Sequence, residues 1–206
     1  CWSFPYGEMS APGDRRARQG SQVLFTTARL SVRSAQREDA AFIHRLWTSP
    51  DVMRFVGYPH GLPCEMEEIH QQIEQTQGRA FGGLLIVERQ QDGVRIGQAH
   101  LSVPDADGIC EPDVKLDPLI WGNGYGKELW AALVSYAFAH SDASTVQGTP
   151  NRENEASVRM QSSAGLQKIR EGVFTDHLRG RPEAVPVPYL RWVIRRDQWD
   201  EIQQRR

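Results

Sequence analysis

Seven residues constrain this chain more than any others: Trp121-Gly122-Asn123-Gly124-Tyr125-Gly126-Lys127. Three glycines stand at every second position between a strand-like run, 114–117, and a strongly helical one, 128–140. Glycine lets a backbone turn tightly and come close to another group. A helix opening directly after such a turn presents unpaired N–H groups and the positive end of its dipole. That makes a seat for phosphate or pyrophosphate, so the chain is expected to hold a phosphorylated cofactor by its backbone. The plain alternative is a turn that only lets strand and helix pack.

The rest of the chain supplies strands and helices around this turn. Residues 1–22 carry the basic cluster Arg15, Arg16 and Arg18 without any period, and read as a poorly ordered arm ahead of one domain over 23–206. Leu30-Ser31-Val32-Arg33 alternates as a strand. A helix follows over 38–47, with Ala41, Phe42, Leu46 and Trp47 on one face and Glu38 and Asp39 suited to its first turn. Pro50 and the stretch 57–63 interrupt the pattern. A second helix spans 65–77, with Met66, Ile69 and Ile73 at helical spacing and Gly78 as its stop. Residues 81–88 form an apolar strand, Asp92-Gly93 a hairpin turn, 95–103 the partner strand and 109–117 another. The helix 127–140 turns Leu129, Trp130, Leu133, Val134, Ala137 and Phe138 inward. A short strand over 144–149, a helix over 155–163 stopped by Gly165, and closing strands over 168–174 and 189–195 complete the chain. Hairpins first and helix–strand alternation later predict an α/β (α+β) fold: a mixed, mostly antiparallel sheet of about six to seven strands flanked by about four helices.

Composition narrows the partners. The 206 residues are 39% hydrophobic and 24% charged, with a net charge of −2, which gives no electrostatic case for nucleic acid. No apolar run approaches the roughly 18 residues that span a bilayer, so no membrane partner is expected. Nor does the N-terminal segment have the layout of a secretory signal. Cys1, Cys64 and Cys110 are scattered, odd in number and match no metal spacing. A reducing, cytoplasmic setting without a metal or a disulfide framework is expected, with a lipid-modified Cys1 as the lesser reading.

Three phosphate-binding patterns compete for the glycine turn. A dinucleotide fingerprint needs G-x-G-x-x-G near the start of a βαβ unit, but the spacing here is G-x-G-x-G, after several hairpin strands. A Walker loop needs Ser or Thr after its lysine, and Lys127 is followed by Glu128. A kinase loop lies in a strand hairpin, whereas this one opens a helix.

The chain resembles the GNAT superfamily of acyl-CoA-dependent N-acyltransferases, and within it the RimJ/RimL-type ribosomal-protein N-terminal acetyltransferases. The resemblance covers about residues 26–197. Thr27-Ala28-Arg29-Leu30-Ser31-Val32-Arg33 is similar to the branch's opening T-x-R-L-x-L-R, and Asp39-Ala40 with Pro50-Asp51-Val52-Met53-Arg54-Phe55-Val56-Gly57 to its first-helix segment. Leu116-Asp117-Pro118-Leu119-Ile120 continuing through the glycine turn to Glu128 is similar to its pyrophosphate-binding segment. Asn154-Glu155-Ala156-Ser157 with Ala164-Gly165-Leu166 is similar to its N-x-x-S … G-F segment.

The resemblance implies acetyl-CoA (CoA) as cofactor. Its pantetheine arm would pair with the backbone of Val114, Lys115 and Leu116, where two strands splay apart. Its pyrophosphate would lie on the amides of Trp121, Gly122, Asn123, Gly124, Tyr125, Gly126 and Lys127. Asn154 would bond the arm, and Ser157 would support the same helix. Trp121 replaces the arginine or glutamine often found at its position. Gln161 stands where the superfamily often has a tyrosine acid for the departing thiolate. Pro112 and Asp113 replace an aliphatic residue and glycine, which puts the regularity of that strand in question.

Acyl transfer from a thioester to an amine needs a group that takes the amine's proton and a backbone N–H for the developing oxyanion. Glu111 is the candidate base, and Asp113, two residues on and on the same face, the second. The two carboxylates could equally bind a cationic substrate, and the plain alternative for Glu111 is a solvated strand carboxylate or one half of an ion pair with a cation. A backbone N–H near Leu116 is the expected oxyanion donor. His100 and His44 are read as structural histidines able to relay a proton, and Cys110 as a small strand residue rather than an acyl carrier. Trp121, Trp130 and Trp192 read as core or rim aromatics. The loop 57–63, with Tyr58 and His60, is expected to border the acceptor. The expected activity is N-acetyl transfer to a primary amine, either a protein N-terminus or a small molecule, by a monomer or homodimer. The alternatives are a catalytically idle acyl-CoA-binding module of the same fold and, more distantly, a dinucleotide enzyme.

Overall fold

The computed structural model describes residues 23–178 and 180–205. The arm expected over residues 1–22 lies outside the described residues. In chain order the elements are β1 (Val23–Thr26), β2 (Leu30–Ser34), α1 (Ala40–Trp47), α2 (Pro50–Met53), α3 (Met66–Thr76), β3 (Leu84–Arg89), β4 (Arg95–Leu101), β5 (Ile109–Cys110), β6 (Pro112–Leu116), α4 (Tyr125–His140), β7 (Thr145–Gly148), α5 (Glu155–Ser163), β8 (Gln167–Phe174), β9 (Val187–Arg195) and α6 (Arg196–Gln204). They form two sheets. One has the order β1-β2-β3-β4-β6 and is antiparallel throughout; the other has the order β5-β7-β9-β8.

Strand β3 organises the interior because its run Leu84-Leu85-Ile86-Val87 is buried on both faces. Side chains alternate along a strand. Leu84 and Ile86 therefore join one core with Ile43 and Leu46 of α1 and Ile69 and Ile73 of α3. Leu85 and Val87 join the other, with Ala99 and Leu101 of β4 and the inward face of α4. That face is Leu129, Trp130, Leu133, Val134, Ala137 and Phe138, as the helical period predicts. A buried charge network ties β2 to the start of α1. Arg33 donates to Asp39 at 2.6 and 3.0 Å and to Glu88 at 2.9 and 2.7 Å, and Arg95 reaches Asp39 at 2.9 Å.

The described residues hold nine strands and six α-helices, more than the sequence pattern predicts. The strand expected over 109–117 is interrupted at Glu111 and counts twice. Pro50, read as a break, opens the single turn α2, where its missing N–H costs nothing. Helix α6 escapes a periodicity reading because its apolar residues are only Trp199 and Ile202. Helix α4 starts two residues earlier than expected, at Tyr125, preceded by Gly124 at φ 78°.

Candidate active site

The site begins where the two sheets part. Ile109 and Cys110 pair in parallel with Thr145 and Val146 of β7. Beyond Glu111 the chain pairs instead with β4, from Pro112↔Leu101 to Leu116↔Gly97, while Gln147 and Gly148 stay with β9. Pro112 has no N–H to offer β7. The Glu111 N–H turns back to Ser102 Oγ at 2.8 Å. The result is a fork whose crotch is held by Gln147, which donates its side-chain amide to the Glu111 carboxylate.

The ladder with β4 decides which backbone groups face the fork. Ser102 N–H bonds Glu111 C=O at 3.0 Å and Asp117 N–H bonds Ile96 C=O at 2.9 Å. Because antiparallel bonding alternates, residues 111, 113, 115 and 117 turn their backbone toward β4, and 112, 114 and 116 turn theirs toward the gap. Val114 and Leu116 thus have gap-facing amides. The Lys115 backbone, expected to meet the cofactor arm, is turned to β4 instead. The Leu116 carbonyl already accepts the Trp121 indole N–H at 3.0 Å.

One face of the fork is polar. Gln98, His100 and Ser102 of β4 lie opposite Lys115, Asp113 and Glu111 in register. Asp113 is engaged with the buried Lys115 ammonium, whereas the Glu111 carboxylate meets the neutral amide of Gln147. Burial pushes the His100 pKa down to about 4, helped by Lys115 and opposed by Asp113 and Glu111. The ring is therefore neutral across the physiological range. These residues line a cleft of about 900 Å³, whose walls also carry the carboxylates of Asp105, Asp107 and Asp176.

The glycine turn closes the other end of β6. Asp117 caps the turn by accepting the Leu119 N–H at 3.0 Å and takes Arg45 of α1 at 2.7 Å. Gly122 and Gly124 have φ of 80° and 78°, which other residues adopt only at a cost. A Cβ on Gly122 would meet nothing within 4 Å, so the space above it is open. Gly126 differs: a Cβ there would stand 3.2 Å from Met160 Sδ and 3.5 Å from Leu116 Cδ1, so it serves close packing of α4 on α5 and β6. No side chain caps α4. Asn123 is spent on the turn, donating to the carbonyls of Ile120 and Trp121 at 2.9 and 3.3 Å. Lys127 is exposed in the first turn, and Tyr125 carries the Arg29 guanidinium 4.5 Å above its ring. Arg29 also donates to Glu128 at 2.6 Å and to the Asn123 carbonyl at 3.0 Å. Residue spacing did not reveal this arginine, because its partners lie more than 90 positions away.

The remaining candidates separate cleanly. Asn154 and Ser157 line the cleft, but the Asn154 side-chain oxygen caps α5 by accepting the Ser157 N–H at 3.1 Å, which leaves its amide nitrogen for a ligand. Cys110 donates its S–H to Ser102 C=O at 3.2 Å, and burial pushes its pKa up to about 12, so it stays a thiol. His44 bonds the Cys64 carbonyl at 3.1 Å, a structural role. Trp130 is a core residue that also lines the cleft, and Trp192 packs against the same core. Of the segment ahead of the loop 57–63, Val52, Phe55 and Val56 line the cleft, while Tyr58 is buried and bonded to Arg181 at 3.2 Å.

Residues 29–167 match the family described as "Acetyltransferase (GNAT) domain". The chain belongs to the GNAT acetyltransferases. It is 25% identical over 180 residues to "Uncharacterized N-acetyltransferase p20" of Bacillus licheniformis, covering 85% of this chain and 98% of that protein. Its fold is similar to that of spermidine N-acetyltransferase from Vibrio cholerae in complex with CoA and spermine, at a TM-score of 0.69 and 19% identity over 82% of this chain and 97% of that one. It is likewise similar to the aminoglycoside acetyltransferase AAC(6')-Ib in complex with coenzyme A and kanamycin, at a TM-score of 0.64 and 16% identity over 84% and 99% of the two chains. GNAT acetyltransferases take acetyl-CoA as acyl donor, and three features of this GNAT chain suit such a molecule. These are the gap-facing amides of Val114 and Leu116, the uncapped start of α4 beneath open space at Gly122, and a buried Gln161 Oε1 in the cleft wall that lacks a partner.

Proposed function

We propose that this GNAT enzyme moves the acetyl group of acetyl-CoA to a primary amine of a small cationic molecule, with Glu111 taking the amine's proton. The observation that carries the acceptor class is the cleft lining. Asp105, Asp107, Glu111, Asp113 and Asp176 face it, His100 is neutral, and these carboxylates outnumber the two lining cations, Arg191 and the Lys115 that Asp113 engages. Such a wall attracts positive charge and repels acidic acceptors. The polyamine and aminoglycoside complexes of the structural neighbours support the same class.

Bound acetyl-CoA supplies an activated thioester. The chain supplies placement and proton handling. The start of α4 and the turn 121–127 would hold the pyrophosphate, and Val114, Leu116 and Asn154 the pantetheine arm. The attacking amine must be neutral, and Glu111 accepts its proton directly or through a water. Asp113 is already engaged by the Lys115 ammonium, so Glu111 is preferred for this role. Pro112 has no N–H, so the oxyanion donor is a gap-facing N–H of Val114 or Leu116.

Thiol release from acetyl-CoA with a panel of polyamines, aminoglycosides, neutral amines and N-terminal peptides tests this. Turnover confined to polycationic small amines is expected. Turnover of a peptide N-terminus instead would move the protein to the RimJ/RimL-type branch that its motifs resemble. CoA binding with no thiol release from any acceptor would make it an idle acyl-CoA-binding module.

A further inference from the structure

Three residues that line the cleft carry a buried side-chain atom with no hydrogen-bond partner: Gln161 Oε1, the Trp130 indole nitrogen Nε1 and Arg191 Nε; the first two lie together. Gln161 is 3% exposed and Trp130 2%, and both residues line the cleft. They meet at Gly148, on β7 immediately after the Gln147 that holds the crotch of the fork. A Cβ on Gly148 would stand 2.1 Å from Gln161 Oε1 and 3.0 Å from Trp130 Cζ2, the ring carbon two bonds from the indole nitrogen. The glycine makes room for the carboxamide. The amide nitrogen of Gln161 reaches Ser157 Oγ only at 3.5 Å, the outer limit of a hydrogen bond.

A buried acceptor left unpaired is destabilising, and an apolar side chain of the same length would avoid the cost. Keeping a glutamine there has a physical rationale when a ligand completes its bonding. The indole N–H is a donor and the carboxamide oxygen an acceptor. Side by side on one wall, they match the C=O and N–H of a secondary amide. The pantetheine arm of the acyl donor carries such amides.

We propose that Gln161 and Trp130 form the amide-binding wall for the pantetheine arm of acetyl-CoA. The proposal rests on the reading of the cleft as the acyl-donor site. Gln161 is a positioning residue: it orients the donor, and no bond is made or broken at it.

Calorimetric binding of CoA and of adenosine 3′,5′-diphosphate, which lacks the arm, tests the proposal on the wild-type chain, Gln161→Met and Trp130→Phe. In Gln161→Met the affinity for CoA falls about tenfold, that for the diphosphate is unchanged, and Tm stays level or rises. KM for acetyl-CoA rises in parallel while kcat holds. Trp130→Phe gives the same selective loss. Should it fail to fold, Gln161→Met decides alone. Equal losses for both ligands, or unchanged CoA affinity in Gln161→Met, overturn the proposal and leave the pair to core packing. A wild-type chain that binds neither ligand overturns it together with the acyl-donor reading.

Discussion

Arg29 Nε lies 2.6 Å from Glu128 Oε2, joining the β1–β2 turn to the first turn of α4. Glu128 also accepts from Thr27 Oγ1 at 2.5 Å and from the Arg29 N–H at 2.9 Å. Burial alone would raise its pKa, but these bonds outweigh burial and hold the carboxylate below its usual range. The depressed pKa stabilises the fold above the ordinary carboxylate range, and that contribution is lost as pH falls through the lowered folded value. Glu128→Gln is expected to lower stability by on the order of 1 kcal/mol at neutral pH, after allowing for water around half-exposed Arg29. Denaturant melts from pH 7 to 3 check this: the gap to wild type closes in acid. A gap that widens in acid would contradict the assignment.

Glu111 and Asp113 are predicted to fail differently. Glu111→Gln should lower kcat by about 10²- to 10⁴-fold with CoA affinity unchanged. Asp113→Asn removes a charged partner of the buried Lys115 ammonium and should cost stability first, by a few kcal/mol. Paired rates and melts for the two variants check this. A larger kcat loss in Asp113→Asn than in Glu111→Gln would exchange their roles.

Gly124→Trp should weaken CoA binding at least tenfold while the domain remains folded. The change strains a backbone at φ 78°, by about 1–2 kcal/mol, and fills the approach to the start of α4. Calorimetry with circular dichroism measures both. Unchanged affinity would reduce the turn to a packing device.

His100 is held neutral by burial, with its folded pKa near 4 against an ordinary value near 6.5. Between those values the unfolded chain binds the extra proton, so the fold loses stability as pH falls from about 6.5 toward 4. His100→Gln should flatten that fall and leave the pH–rate profile between about 6 and 8 unchanged. A rate limb in that range that disappears in His100→Gln would make the histidine a proton carrier.

Local order was legible in the sequence and distant pairing was not. The inward face of α4 follows from spacing, and Gly122 and Gly124 announced their left-handed turns. Pro112 announced irregularity, but not that the sheets part there, because that depends on what β4 and β7 do on either side. The resemblance groups Lys115 with Val114 and Leu116, whereas a ladder alternates and turns its amide the other way. The meeting of Gln161, Trp130 and Gly148 joins three elements at the cleft wall. Nothing in the neighbourhood of any one residue signals it.

Strand β3 has one further consequence. Leu85 and Val87 belong to the core that carries Trp130, Val114, Leu116 and Met160, on the side of the proposed acyl-donor site. Leu84 and Ile86 belong to the core that carries Val52, Met53 and Val56, of which Val52 and Val56 line the proposed acceptor rim. A single strand thus acts as a party wall between two tenants. On the proposed reading of the cleft, the acceptor rim can be rebuilt from its own core for a different amine while the acyl-donor pocket behind the wall keeps its shape.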